Sequence, residues 1–294
     1  ASIFEAQTID AMATLVRGKK ERREWSPLIK IQPSGSKPPL FCVHPAGGGA
    51  VCYADMGRRF APDQPVYGLQ PRGLEDNLQE PHVTVEDMAA CYVTTIQEAG
   101  FREPFQLAGA SFGGLVAFEM ARQFESAGKE VSFVGLLDTY ASQVEQDDDD
   151  AGLLWALFEE DIDLSLDYLR TLEPEELLNY VIKQAKDAHL LPPDFGAERF
   201  RLILQMTKIS VRASMHYNPG HYKGKVVLFR AKGSTNENQD NTLGWKDILS
   251  ENFEVKFVPG SHQNMFREPH VGVLVESLKE YMMGERKDTG QVFS

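Results

Sequence analysis

The sequence predicts an α/β fold whose mostly parallel central sheet carries helices on both faces. From residue 39 onward, short β-branched or aromatic runs alternate with helical patterns, which is typical of successive strand-helix-strand units. The strand-like runs are apolar almost throughout, as expected for strands covered on both faces. They are PLFCVH (39–44), PVYGLQ (65–70), FQLAGA (105–110), VSFVGLLD (131–138), KVVLFRA (225–231) and FEVKFV (253–258), with LIKIQ (28–32) as an edge strand.

Three helical patterns lie between or after these runs. TVEDMAACYVTTIQEAG begins with a capping-box pattern, Thr84 followed by Asp87, and carries one apolar stripe. GGLVAFEMARQFESAG is predicted to end at Gly128, and REPHVGVLVESLKEYM at Gly284. We therefore predict a single α/β domain over residues 39–284.

The alternation is interrupted from Thr139 to Lys223, where no convincing strand pattern occurs. Three amphipathic helical patterns in residues 139–223 predict a helical lid, and the alternative is that these helices simply complete the fold. The acidic run from Asp147 to Asp150 fits a solvated loop better than a calcium site, because it lacks the alternate spacing and glycine of an EF-hand loop.

The two ends of the chain differ from this domain. Residues 1–38 finish in a polar, proline-containing stretch, IQPSGSKPP, which suits a linker at a domain edge. The tail over 285–294 has no pattern and is expected to be flexible.

Composition excludes several classes of protein. The formal net charge of −13, from 30 Lys and Arg against 43 Asp and Glu, argues against a nucleic-acid partner. No apolar run approaches the roughly 20 residues of a membrane helix, so no membrane association is expected. Cys42, Cys52 and Cys91 show no CxxC spacing, and the N-terminus lacks a signal-peptide pattern; both observations favour the cytoplasm. His216 and His221 lack the spacing of a helical zinc pair, so no metal is expected.

A GxSxG pattern, residues 109–113, lies directly after the strand FQLAGA and before a helix. A serine on such a sharp strand-to-helix turn needs small neighbours, and the helix N-terminus directs amides towards its Oγ. An ordinary capping serine would explain the pentapeptide alone, but not its placement. Ser111 is therefore the predicted nucleophile.

A serine hydroxyl needs a base, and the base needs a carboxylate to orient it. His262 follows the last strand and Pro259-Gly260, where the chain order Ser, acid, His requires the base. The remaining histidines are expected to be structural or on the surface: His44, His82, His189, His216, His221 and His270.

Asp138 is the predicted acid, because it ends the strand VSFVGLLD and a lone buried carboxylate is costly unless it is paired. Glu237 and Asp240, which follow the strand KVVLFRA, remain alternatives at this point.

The glycine-rich stretch HPAGGG (44–49) follows the strand PLFCVH and is similar to loops that lend an amide to an oxyanion hole. It lacks the lysine of a P-loop and the spacing of a dinucleotide-binding loop. The backbone amides of Ala46 and Phe112 are therefore the predicted oxyanion donors.

Together these motifs resemble the type I thioesterase domains at the ends of nonribosomal peptide synthetases and polyketide synthases. HPAGGG, VYGLQ, GASFGGLVAFEMA, LLDTY, YKGKVVLFRA, Gly244-Trp245 and VPGSHQNMF occur in the family's order and approximate spacing. The resemblance implies an α/β-hydrolase fold and a triad of Ser111, Asp138 and His262. The segment SIFEAQTIDAMATLV also resembles the last helix of a carrier domain, with Gln7 where that family often has proline.

The resemblance further implies a serine thioesterase that needs no cofactor of its own. Its substrate would arrive on the phosphopantetheine of an upstream acyl or peptidyl carrier domain of the same synthase, and leave by hydrolysis or macrocyclisation. The alternatives are a free-standing esterase or lipase acting on small or lipid esters, and a non-catalytic binding module.

Overall fold

A computed structural model of the chain describes residues 25–74, 80–142, 148–235, 240–249 and 252–283. Its centre is a seven-stranded sheet in the order β1-β3-β2-β4-β5-β6-β7. Only β1 runs antiparallel to its neighbour, β3, while the other neighbouring strands pair in parallel. Every predicted run forms a strand: β1 Leu28–Gln32, β2 Leu40–Val43, β3 Val66–Leu69, β4 Phe105–Ala110, β5 Val131–Leu137, β6 Val226–Ala231 and β7 Phe253–Val258.

Eight α-helices connect or flank these strands in the described part of the chain. They are α1 Ala54–Phe60, α2 Val85–Glu98, α3 Phe112–Ser126, α4 Asp150–Phe158, α5 Leu166–Leu169, α6 Pro174–Asp187, α7 Ala197–His216 and α8 Val271–Met282. Short 3₁₀ helices occur at Ala50–Tyr53, Lys232–Ser234 and Trp245–Asp247. None of the described helices is long and apolar enough to cross a membrane.

The sheet is buried between two hydrophobic clusters. One cluster joins apolar residues of α2 and α3 to β4, β5 and Trp245, and the other joins α1 and α8 to β2, β6 and β7. This doubly covered sheet confirms the predicted α/β-hydrolase fold. It also explains the nearly continuous apolar runs of the central strands, because their successive side chains enter different clusters.

Residues 148–223 contain the helices α4 to α7 and, in the described part, no strand. These helices pack around a third hydrophobic cluster of their own, which includes Leu154, Leu169, Val181 and Phe200. The insertion therefore has a core separate from those of the sheet.

In the acidic run, Asp148 and Asp149 are exposed and precede α4, as expected for a solvated loop, and the run continues into the helix. Asp149 caps the helix, since its Oδ1 accepts a hydrogen bond from the Gly152 amide at 2.6 Å. Asp150 begins the helix and pairs with Lys208 of α7. The carboxylates are placed at a helix N-terminus, where negative charge is stabilised; Asp147 lies outside the described residues.

Helix ends follow the predicted signals where they are described. The Thr84 hydroxyl accepts from the Asp87 amide at 3.1 Å, which is the capping contact expected at the start of α2. After α3, Gly128 adopts a positive φ of 69°. Gly284, the expected end of α8, lies outside the described residues.

Candidate active site

Ser111 lies in the turn between β4 and α3, with φ 53° and ψ −125°. An L-residue rarely adopts a positive φ, and the strain costs about 1–3 kcal/mol. The surrounding backbone maintains this conformation: the Ser111 amide donates to the Leu137 carbonyl at 2.9 Å, and the Ser111 carbonyl accepts from Gly114 at 3.0 Å. The serine is therefore presented on a strained, tightly held turn.

The glycines that flank Ser111 are required by close backbone approach. A Cβ on Gly109 would lie 2.1 Å from the Gly113 carbonyl oxygen, and one on Gly113 would lie 2.4 Å from the carbonyl oxygens of Val43 and His44. No side chain fits at such distances. The predicted need for small residues beside the serine therefore has a direct steric cause.

Asp138 follows β5 directly and is 1% exposed. Its amide donates to the Phe229 carbonyl at 2.9 Å, which continues the pairing of β5 with β6. Its Oδ1 accepts from the Arg230 guanidinium, which is itself fully buried, and from the Ala231 amide at 3.1 Å. The carboxylate thus enters the protein interior with its charge compensated.

His262 forms the remaining hydrogen bond to this carboxylate. Its Nδ1 lies 2.9 Å from Asp138 Oδ2, and its side chain is 29% exposed. Burial alone would raise the pKa of Asp138, but the hydrogen bond and charge of His262, the Arg230 charge and the Ala231 amide outweigh it and lower that pKa. Asp138 is consequently ionised at neutral pH and accepts the Nδ1 proton, which leaves Nε2 with a free lone pair.

The loop that carries His262 is held from two sides. The His262 amide donates to the Ser234 hydroxyl at 2.6 Å, and the Ser261 amide donates to Asn264 Oδ1 at 2.8 Å. The Ser261 hydroxyl donates to Glu160, just after α4. The helical insertion therefore contacts the histidine loop directly.

The alternative acids are placed differently. Asp240 accepts hydrogen bonds from the Thr242 amide and hydroxyl at 2.9 and 2.6 Å, and from the Gly244 amide at 2.9 Å. Its carboxylate is engaged in capping its own turn. Glu237 lies outside the described residues.

The glycine-rich loop follows β2 and lies beside α3 and α7. Phe112 is the first residue of α3, so its amide is one of the N–H groups that lack an intrahelical acceptor. Ala46 lies in the loop, where its carbonyl accepts from the hydroxyl of Ser210 in α7 at 3.0 Å. Ile203 and Thr207 of α7 lie against Gly47. One face of α7, at positions i, i+4 and i+7, thus covers the loop.

Sequence reasoning missed several residues that build this site. Arg230 and Ser234 contact Asp138 and His262 directly, and Trp245 Nε1 donates to the Thr139 carbonyl at 2.8 Å, next to the acid. Arg230 had a usable signal, because an arginine within the apolar run KVVLFRA needs a buried anion. Within the described residues no group of three His, Cys, Asp or Glu side chains is arranged to hold a metal.

Sequence comparison identifies a family that matches most of the chain. The sequence model described as "Thioesterase domain" matches residues 38–280. A dimodular nonribosomal peptide synthase of Bacillus subtilis is 33% identical over 239 residues, which is 78% of this chain but 10% of that protein.

Solved structures show the same fold. A four-domain nonribosomal peptide synthetase bound to AMP and glycine matches with a TM-score of 0.78 and 25% identity, over 95% of this chain and 22% of its own. The NocB thioesterase domain, in a covalent complex with a fluorophosphonate nocardicin G analogue, matches with a TM-score of 0.68 and 23% identity, over 87% of this chain and all of its own. The chain thus spans about a tenth of the Bacillus subtilis synthase and about a fifth of the four-domain synthetase.

The strain at Ser111 predicts that two substitutions of this serine differ in stability. Ser111→Gly removes the steric penalty of the positive φ, whereas Ser111→Ala retains it, so we expect the glycine variant to be more stable than the alanine variant by about 1 kcal/mol. Urea denaturation of the two variants measures the difference. Equal stability, or a more stable alanine variant, would show that the turn is not strained.

Proposed function

The chain belongs to the thioesterase domain family, and we propose that it releases an acyl, polyketide or peptidyl chain from the phosphopantetheine thioester of a carrier protein, through an acyl-enzyme on Ser111. The observation that carries this proposal is the hydrogen bond from His262 Nδ1 to the buried Asp138 carboxylate. That bond fixes the tautomer in which Nε2 can act as a base.

The first half of the reaction forms the acyl-enzyme. His262 Nε2 takes the proton of Ser111 as Oγ attacks the thioester carbonyl, and the carbonyl oxygen gains negative charge near the amides of Ala46 and Phe112. The carbon-sulfur bond then breaks, and the imidazolium returns the proton to the departing pantetheine sulfur. Asp138 stabilises the imidazolium throughout, because it is an ionised carboxylate at hydrogen-bond distance from Nδ1.

The second half of the reaction releases the bound acyl or peptidyl group. Water, or a hydroxyl or amine of that group itself, attacks the Ser111 ester while His262 accepts the proton of the attacking nucleophile. The ester bond breaks and Ser111 regains its proton from His262. Water yields a free acid, and an internal nucleophile yields a ring.

A carrier-domain partner is supported by the size of the matched synthetases relative to this chain. The chain matches about a tenth of a dimodular nonribosomal peptide synthase and about a fifth of a four-domain synthetase, as expected for one domain of a longer assembly. The carrier-like segment SIFEAQTIDAMATLV, residues 2–16, lies entirely outside the described residues, which begin at Trp25. The assignment of residues 1–38 to a carrier remnant and linker therefore stays a prediction.

The insertion over residues 139–223 is proposed as a lid over Ser111. Its last helix, α7, covers the glycine-rich loop through Ile203, Thr207 and Ser210. Tyr217, which follows α7, donates its hydroxyl proton to Glu119 of α3 at 2.9 Å. The lid is thus anchored to the nucleophile helix at one end and contacts the histidine loop at the other.

Substrate preference tests the proposed function against the esterase alternative. The chain, expressed with its upstream carrier domain, should hydrolyse or cyclise an acyl group loaded on that carrier more efficiently than it hydrolyses p-nitrophenyl esters. A fluorophosphonate probe should label the wild type and not Ser111→Ala. A clear preference for the free esters would support the esterase, and a folded wild type inert to the probe would support a binding module.

Asp138→Asn should lower kcat by roughly 10⁴-fold, about 5 kcal/mol at 1.36 kcal/mol per decade, because the amide can hold His262 in the wrong tautomer. Asp240→Asn is the matched control, since Asp240 caps its own turn, and it should change kcat less than about tenfold. Circular dichroism checks folding of both variants. Near-normal turnover in Asp138→Asn with a collapse in Asp240→Asn or Glu237→Gln would reverse the assignment of the acid.

Ile203→Ala should change selectivity for acyl-chain length, because Ile203 lies on the face of α7 that covers the glycine-rich loop. We expect the ratio of kcat/KM for long against short acyl thioesters to rise about tenfold, as for the removal of one or two methylenes from a specificity pocket. Gln205→Ala, on the exposed side of the same helix, should leave the ratio unchanged. An unaltered ratio in a folded Ile203→Ala would remove this face of α7 from the substrate site.

A further inference from the structure

His44 is a buried histidine that the proposed mechanism does not use. It follows β2 and begins the glycine-rich loop, and its ring is fully buried. Nδ1 lies 2.8 Å from the Pro45 carbonyl oxygen, and Nε2 lies 2.9 Å from the hydroxyl of Tyr92 in α2. Both ring nitrogens therefore have a defined partner.

These partners determine the tautomer of His44. A carbonyl oxygen can only accept, so Nδ1 carries a proton and donates it to Pro45. Burial lowers the pKa of His44 to about 4, although the hydrogen bond to Pro45 opposes that shift, and the ring is neutral at physiological pH. Nε2 then has a lone pair, which accepts the proton of the Tyr92 hydroxyl.

The Pro45 carbonyl is fixed by two donors. Besides His44 Nδ1, the Gly48 amide donates to the same oxygen at 2.9 Å. In a trans peptide unit the carbonyl and the following N–H lie in one plane and point in opposite directions. Fixing the Pro45 carbonyl therefore fixes the direction of the Ala46 N–H.

We propose that His44 is a positioning residue for the oxyanion hole, which holds the Ala46 amide in place through the Pro45 carbonyl and is itself oriented by Tyr92. This inference rests on the proposed function, in which the Ala46 amide binds the oxyanion. Ser210 holds the carbonyl on the other side of Ala46. Since catalytic donors must be aimed before charge develops, a loose Ala46 peptide would reduce transition-state stabilisation.

Two substitutions of His44 separate positioning from simple packing. His44→Asn keeps an N–H donor attached at Cγ, where Nδ1 is attached, whereas His44→Gln moves the amide towards Tyr92 and away from Pro45. We expect kcat/KM for p-nitrophenyl butyrate to fall roughly 10- to 100-fold in His44→Gln, approaching the loss of one oxyanion donor. His44→Asn should recover at least half of that loss on a logarithmic scale.

Inhibition by phenylboronic acid provides a second readout, because its adduct with a serine places an oxygen in the oxyanion hole. Its inhibition constant should rise in His44→Gln by a factor similar to the fall in kcat/KM. An unchanged inhibition constant, or equal losses in the Asn and Gln variants when both are folded, would overturn the positioning role. If the wild type itself were insensitive to the inhibitor, the proposed serine mechanism would fail instead.

The tautomer can be measured in the unaltered protein. Nitrogen-15 NMR of the His44 ring should show a protonated Nδ1 and an unprotonated Nε2 at neutral pH, and Tyr92→Phe should preserve folding while shifting the Nε2 resonance. A ring protonated at Nε2 alone would contradict the proposal, because Nδ1 could not then donate to Pro45.

Discussion

The buried carboxylate of Asp138 is the charge on which the geometry of the active site depends. An isolated carboxylate in the protein interior is strongly unfavourable, so its oxygens must meet donors. Arg230 and the Ala231 amide reach Oδ1 from β6, and His262 reaches Oδ2 from the loop after β7. Compensation of this one charge therefore connects the end of β5 to the end of β6 and to the loop after β7. His262, the proposed base, is oriented by the same hydrogen bond that compensates this charge.

The fold could be predicted because burial on both faces leaves a clear mark on the sequence. The central strands contribute side chains to two hydrophobic clusters, so their residues form nearly continuous apolar runs, and the bounds of β4 agree with the prediction. The bounds of β7 agree as well, although Glu254 and Lys256 interrupt its apolar residues. The short helices α1 and α5 left no such mark, since seven and four residues are too few to establish a helical period. Gly57 within α1 is a poor helix former that is present because a Cβ would meet Ile31 at 2.6 Å.

Residues of the candidate site could be predicted only where the neighbouring sequence indicates their position. Ser111, Asp138 and His262 each follow a recognisable strand, and the carboxyl ends of parallel strands meet at one edge of a sheet. Ser234 and Tyr92 carry no local signal, because their roles depend on which distant segment lies beside them in the folded chain. The register of β5 against β6 is likewise what brings Arg230 next to Asp138. Such pairings are set by tertiary packing rather than by sequence spacing.

The glycine-rich loop is where the sheet and the helical insertion meet. From the sheet side, His44 and the Gly48 amide hold the Pro45 carbonyl; from the insertion side, Ser210 of α7 holds the Ala46 carbonyl. An outward movement of α7 would break the second contact and leave the first intact. The Ala46 N–H would then keep its direction while the peptide that follows it became free to turn. If α7 moves as part of the proposed lid, its opening would therefore loosen the loop while the proposed oxyanion donor at Ala46 kept its direction, and its closure would restore the contact with Ser210.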